Sequence, residues 1–153
     1  MKYVKDITRA GIIAAVYIAL TLILAPISFG PLQCRVSEAL CILPIFSPAA
    51  IWGLFIGCLL SNIFSSTLGI IDIVFGSLTT LLAGYLTYKA RNKPLLAASF
   101  PVILNGIIVG GYLSYFFPDT TIWYCMLTVA AGEAIALYLI GIPFYHMTKR
   151  KFK

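Results

Sequence analysis

From Ala10 to Tyr88 the chain carries only three charged side chains, Arg35, Glu38 and Asp72. A stretch this long and this bare cannot build the charged skin that a water-soluble domain needs, so its apolar surface has to meet lipid. The rest of the sequence agrees. It is 61% hydrophobic and 10% charged, with a mean hydropathy of +0.99. A spanning helix consumes about 20 residues, so 153 residues leave room for six spans and no separate soluble domain. The expectation is an all-α integral membrane protein, residues 1–153 forming a single transmembrane domain. Proline and glycine breaks divide it into spans from Ala10 to Phe29, Val36 to Phe46, Ala49 to Phe64, Ile70 to Tyr88, Leu95 to Phe116 and Ile122 to His146. The second is short or tilted, cut by Pro44 and Pro48.

The net charge of +6 does not point to nucleic acid, because the basic residues border the apolar runs. Lys2, Lys5 and Arg9 precede the first run. Lys89, Arg91 and Lys93 separate the fourth from the fifth. Lys149, Arg150, Lys151 and Lys153 follow the last. By the positive-inside rule these clusters face the cytoplasm, which puts both termini inside and makes the number of spans even. The turn at Ser47-Pro48 carries no charge, so its inner placement rests on parity alone. The basic N-terminus followed by an apolar run also resembles a secretory leader. The run continues to Pro26 without a small-residue cleavage region, however, so the first helix is expected to stay. Cys34, Cys41, Cys58 and Cys125 form no C-x-x-C pair and read as small buried apolar residues.

Small residues recur at four-residue spacing in Ala10/Ala14, Ala15/Ala19, Gly53/Gly57 and Gly106/Gly110. Such pairs let helix backbones approach in lipid, within the chain or against a partner, and packing within the chain is the simpler reading.

The informative charges are those outside the clusters. Asp119 falls in a loop, but Arg35, Glu38, Asp72 and Glu133 lie within or at the outer ends of spans. A charge at the centre of a bilayer costs about 2.5–3.5 kcal/mol on insertion scales, which marks it as a functional candidate. Arg35 and Glu38, three residues apart, are placed to pair on one helix face. Glu38 and Asp72 are also near helix starts, where a carboxylate is favoured without any ligand. Glu133 lies deep in the last span beside Gly132, at the depth expected for Asn105 on the neighbouring span. Three carboxylates against one arginine leave an excess of negative charge, which a cationic ligand or one rich in N–H donors would offset. The charge count therefore points to an amine or an amidine-like base. Tyr112, Trp123 and Tyr124 are placed near outer helix ends to stack on such a ligand, or to form an ordinary interfacial belt.

The chain has no G-x-x-x-x-G-K-[ST] phosphate loop, no H-E-x-x-H and no G-x-S-x-G, and its one histidine, His146, is at the inner end of the last run. We therefore expect no ATP hydrolysis by the chain itself, no catalytic residues, and no metal or cofactor. A transporter component powered by a partner, a proton-coupled exporter using Glu133, and a channel all remain open on these grounds.

The stretches Gly30-Pro31-Leu32-Gln33-Cys34-Arg35-Val36-Ser37-Glu38-Ala39-Leu40 with Leu43-Pro44, Asp72-Ile73-Val74-Phe75-Gly76-Ser77-Leu78, Asn105-Gly106 and Gly132-Glu133 resemble one known family. It is that of the QueT-type substrate-binding subunits of energy-coupling factor transporters, which import queuosine precursors in bacteria. The resemblance covers nearly the whole chain, Cys34 standing where an apolar residue is expected. It implies a six-helix, multi-pass subunit of the bacterial plasma membrane that docks on a transmembrane coupling subunit, EcfT, carrying two cytoplasmic ATPases. It implies docking through alanines of the first helix, here Ala10, Ala14 and Ala15. It implies a 7-deazaguanine ligand, such as 7-aminomethyl-7-deazaguanine or queuine, whose base edge offers adjacent N–H donors to a carboxylate. On that resemblance Glu133 meets the base edge with help from Asn105, Glu38 or Asp72 meets the amine, and Arg35 orients Glu38 or donates to the ring carbonyl. A subunit of the same kind for another vitamin or base is the nearest alternative.

Overall fold

A computed structural model of the protein describes residues 2–28, 35–65 and 68–151. All regular structure among them is helical and falls into six rods. The first is an α-helix, Lys2–Ile23, that breaks at Leu24 and resumes over Ala25–Ser28. Pro26 has no N–H to continue the ladder, which accounts for the break. The second is a 3₁₀ helix, Val36–Ile45, and the third an α-helix, Ala49–Ser65. The fourth, residues 70–89, contains a π-helical turn over Asp72–Gly76 before Ser77–Lys89. The fifth joins Pro94–Leu104 to Gly110–Phe116 through a π turn over Asn105–Val109. The sixth joins Ile122–Ala134 to Ile142–Lys151 through a π segment over Ile135–Gly141.

Local chemistry explains several boundaries. Pro94 takes the first helical position of the fifth rod, where its missing N–H costs nothing. Thr121 caps the sixth, its hydroxyl accepting from the Tyr124 N–H at 3.3 Å. The first and last rods run further than the expected Ala10 and His146 limits, starting at Lys2 and reaching Lys151, because charge alone does not stop a helix. Pro143 does not end the last rod either. It falls two residues after the π segment, whose wider turn loosens the regular hydrogen-bond ladder there. Among the described residues three helices, Tyr3–Ile23, Pro94–Phe116 and Ile122–Lys149, are long and apolar enough to cross a membrane.

The second rod is the hub. The other five rods all pack against it. Its 3₁₀ form has two consequences. Ten residues rising about 2.0 Å each reach about 20 Å, where an α-helix would reach about 15 Å. Side chains three apart also eclipse, so Arg35, Glu38, Cys41 and Pro44 stack in one buried row.

Around this hub the rods close on glycines. A Cβ on Gly53 would stand 2.7 Å from the Ala10 carbonyl oxygen, and one on Gly57 would stand 2.8 Å from the Tyr17 Cβ, so the first and third rods touch through backbone. Gly106 and Gly110 serve the fifth and sixth rods in the same way, against Ala130 and Met126. Both glycine pairs read from the sequence are thus internal contacts. Arg9, Ser47 and Thr148 border one groove, and Gly84 packs on Ile51. The N-terminus, the uncharged Ser47-Pro48 turn, the Lys89–Pro94 turn and the C-terminal helix therefore share one end of the bundle.

Candidate functional site

Four of the buried candidates lie in or beside segments that depart from α-helical geometry. Glu38 is in the 3₁₀ hub, Asp72 and Asn105 open π turns, and Glu133 lies two residues before the third π segment. A π turn frees backbone groups and re-aims side chains, and such turns concentrate at functional sites.

Arg35, at the start of the hub, ties three rods together. Its Nη2 donates to Asp72 Oδ2 at 3.2 Å, forming an ion pair in which both side chains are buried. Its Nε donates to the Ser28 carbonyl at 3.3 Å. The local pair expected between Arg35 and Glu38 gives way to this long-range one. The 3₁₀ row does bring Arg35 and Glu38 to one side, but Asp72 on the fourth rod reaches the guanidinium first. Asp72 Oδ1 accepts from the Tyr112 hydroxyl at 2.5 Å, so both carboxylate oxygens are held within the protein. Asn62, on the third rod, donates to the Asp72 backbone carbonyl at 3.0 Å. Gly76 makes this crowding possible, since a Cβ there would stand 2.9 Å from Asp72 Oδ1, 3.0 Å from Asn62 Nδ2 and 3.3 Å from the Tyr112 hydroxyl.

Glu38 belongs to a second node, between the first rod and the hub. The Tyr17 hydroxyl donates to Glu38 Oε1, and the Cys41 thiol, one 3₁₀ turn on, donates to Oε2 at 2.8 Å. Thr21 donates to Ser37 at 2.7 Å across the same interface. This is the environment of a carboxylate fixed in place, with one further lone pair on each oxygen.

Glu133 and Asn105 are 6% and 4% exposed. Gly106 meets Ala130, one helical turn before Glu133, so the two residues are close to level, as the sequence predicts. The hub packs on the π segment that follows Glu133, which connects the last rod to it. Asn105 Nδ2, Asn62 Oδ1 and Ser77 Oγ are buried without hydrogen-bond partners among the described residues. One is a donor, one an acceptor, and a hydroxyl is either.

The geometry thus brings Arg35, Asp72 and Tyr112 into contact, places Glu38 beside them on the hub, and sets Asn105 and Glu133 on the adjoining rods. Trp123 stands apart, 72% exposed near the start of the last rod. Along the first rod, Ala10 is partly buried against Gly53, Ala14 is buried and Ala15 is exposed. Nothing in the sequence marks Tyr17 or Asn62 as a site residue, and Cys41 reads there as a small buried apolar residue. Asn62 gives only the signal of a carboxamide in an apolar run. Tyr17 looked like one aromatic among many until the fold set it opposite Glu38. Cys34 lies outside the described residues, while the other three cysteines are free and buried. No group of three or more His, Cys, Asp or Glu side chains suited to a metal occurs among the described residues.

The ion pair cancels two of the buried charges. Glu38 and Glu133 are also buried in the apolar bundle, as are the amide and hydroxyl groups of Asn62, Asn105 and Ser77. Carboxylates and carboxamides of this kind are the groups that pair with the N–H donors and carbonyl of a small polar ligand.

The sequence profile of a family described as QueT transporter matches residues 7–150. A curated relative, the queuosine precursor transporter QueT of Lactococcus lactis subsp. cremoris (strain MG1363), is 42% identical over 78 residues. That stretch is 50% of this chain and 45% of the relative, so the chain covers less than half of the relative's length. No solved structure matches.

Proposed function

From the premise that the chain belongs to the QueT transporter family, we propose that it is the substrate-binding membrane subunit of an ATP-driven importer for a queuosine precursor. The substrate is a 7-deazaguanine such as 7-aminomethyl-7-deazaguanine or queuine, taken from outside and delivered to the cytoplasm. The name of the curated relative supports the substrate class. The observation that carries the reading is the gathering of Arg35, Glu38, Asp72, Asn105 and Glu133 as buried polar side chains inside one apolar bundle, with atoms on the Asn62 and Asn105 amides orphaned among the described residues.

In this reading Glu133 accepts the paired N–H donors along the base edge, and Asn105 donates to the ring carbonyl. Bidentate recognition of that kind is short, directional and charge-assisted. Glu38, oriented by Tyr17 and Cys41, provides the negative potential for the cationic aminomethyl group. Arg35 orients Asp72, and Tyr112 completes that support. The bundle crosses the plasma membrane six times with both termini in the cytoplasm. Support for that topology is the gathering of the basic segments at one end. Energy comes from partners: the coupling subunit EcfT docks on the first rod, where Ala15 and the exposed part of Ala10 lie, and two ATPases drive it.

Titration of purified protein with 7-aminomethyl-7-deazaguanine tests the reading. Saturable binding, weakened about tenfold or more by Glu133→Gln, is the expected result. Unchanged affinity in that variant removes Glu133 from the site. Competition by riboflavin but not by deazaguanines would assign a different vitamin. Transport by liposomes containing this chain alone would overturn the ATPase-driven mechanism in favour of a proton-coupled exporter.

A further inference from the structure

The basic end of the bundle carries charge that the chain itself does not balance. Of the five acidic residues, Glu38, Asp72 and Glu133 are buried within the bundle, and Asp119 is in the turn between the fifth and sixth rods, at the opposite end. Only Asp6 is left to face Lys5, Arg9, the Lys89–Pro94 turn and Lys149. Its Oδ1 stands 3.8 Å from Arg9 Nη1 in an exposed pair. That is too long for a hydrogen bond, so the contact engages none of the five guanidinium N–H groups at bonding distance.

Arg9 borders a groove of about 430 Å³ between the first rod, the end of the hub and the end of the last rod. Its apolar lining is Ile13, Leu43 and Phe46, and its polar lining is Arg9, Ser47 and Thr148. The two sets are sorted by depth. Arg9 is one turn nearer the end of the bundle than Ile13, and Ser47 is in the turn beyond Leu43. Ser47 Oγ accepts from the Ala49 N–H at 3.3 Å, which uses a lone pair and not the hydroxyl proton. A second cation stands close by. Phe46 stacks on Tyr145 with ring centroids 5.3 Å apart, and Lys149 Nζ is 5.6 Å from the Tyr145 ring.

Depth in the membrane says what fits such a groove. Arg9 and Ile13 belong to a helix long and apolar enough to cross a bilayer, and the groove is at its basic end. The apolar floor is thus level with acyl chains and the polar rim with headgroups, where an arginine stem lies along lipid and its charge reaches the interface. Basic pockets between helices at this level attract anionic headgroups. A zwitterionic lipid would bring its own ammonium beside Arg9 and Lys149, and a bare anion would leave the floor uncovered. The groove is also separate from the expected docking face, since Ala10 opens with Gly11 and Trp52 on a different one.

We propose that this groove is a binding site for one anionic phospholipid, its phosphate held by Arg9 with Ser47 and Thr148 and its upper acyl chain covering Ile13, Leu43 and Phe46. The inference does not depend on which substrate the protein carries.

Native mass spectrometry of the full chain in detergent tests it, with phosphatidylglycerol and phosphatidylcholine of the same acyl chains added in equal amounts. The expected result is one retained phosphatidylglycerol in preference to phosphatidylcholine, the preference falling about fivefold in Arg9→Gln and less than about twofold in Arg91→Gln, which removes the same charge outside the groove. Thr148→Trp fills the mouth of the groove with every charge kept, and should also lower the preference; it answers the question if Arg9→Gln does not fold. Equal losses in Arg9→Gln and Arg91→Gln would mean diffuse attraction to the basic end and overturn the proposal. So would a preference unchanged in Thr148→Trp, or no preference in the wild type. Complete displacement of the lipid by inorganic phosphate or by a polyglutamate peptide would make this a site for a bare anion or an acidic peptide, and overturns it as well.

Discussion

The seam between the first and third rods and the polar constellation around the hub are both buried, yet they hold by opposite means. At the seam Gly53 and Gly57 remove side chains so that Ala10 and Tyr17 can close on backbone, and cohesion there is dispersion between close-packed surfaces. Around the hub, long polar side chains from rods distant in sequence reach one another: Arg35 to Asp72, Tyr112 to Asp72, Tyr17 to Glu38. The seam tolerates no added volume. The constellation tolerates no unbalanced charge.

Charge balance sets the largest expected effect. Asp72→Leu removes the carboxylate from a buried guanidinium and should destabilise the protein by about 3–5 kcal/mol, measured by unfolding in mixed micelles. Joining it with Arg35→Met should restore most of that stability and still abolish deazaguanine binding, which would separate the structural task of the pair from its task at the site. Tyr17→Phe leaves the buried Glu38 Oε1 without its donor and should cost about 1.5–3 kcal/mol of stability with little change in ligand affinity. The seam comes next. Gly57→Val drives a side chain into Tyr17 and should cost about 1–3 kcal/mol in the same assay, while the fraction that remains folded keeps its ligand affinity. Gly76→Ala belongs to both regions, as a small residue whose space is used by polar atoms. We expect an affinity loss of about tenfold, or about 1.4 kcal/mol, by calorimetry, and a smaller change in stability. Comparable losses from Gly57→Val and Gly76→Ala in ligand affinity would erase the distinction between the two regions.

The same contrast explains which features were legible in the chain. Gly53/Gly57 and Gly106/Gly110 announced close helix contacts by their spacing, because helical periodicity is local and a missing side chain acts wherever the neighbour comes from. The buried candidates Arg35, Glu38, Asp72, Asn105 and Glu133 stood out because polar groups are rare in apolar runs. Their partners did not. Arg35 was expected on Glu38, three residues away, and met Asp72 on another rod. Cys41 reads as a small apolar residue until the 3₁₀ repeat stacks it on Glu38. Nor does any periodicity show that the shortest apolar run is the one all the others surround.

By itself the amino-acid sequence determined the solvent, the helical class, the breaks at proline, and the residues too polar to lie in a bilayer without a reason. Each of these follows from composition and spacing over a few turns. Tertiary structure decided which acid pairs with the arginine, where helices loosen into π turns, and which amide atoms are left unsatisfied. Those outcomes depend on which rods meet and at what depth, and a helix reports only its own faces until another is packed against it.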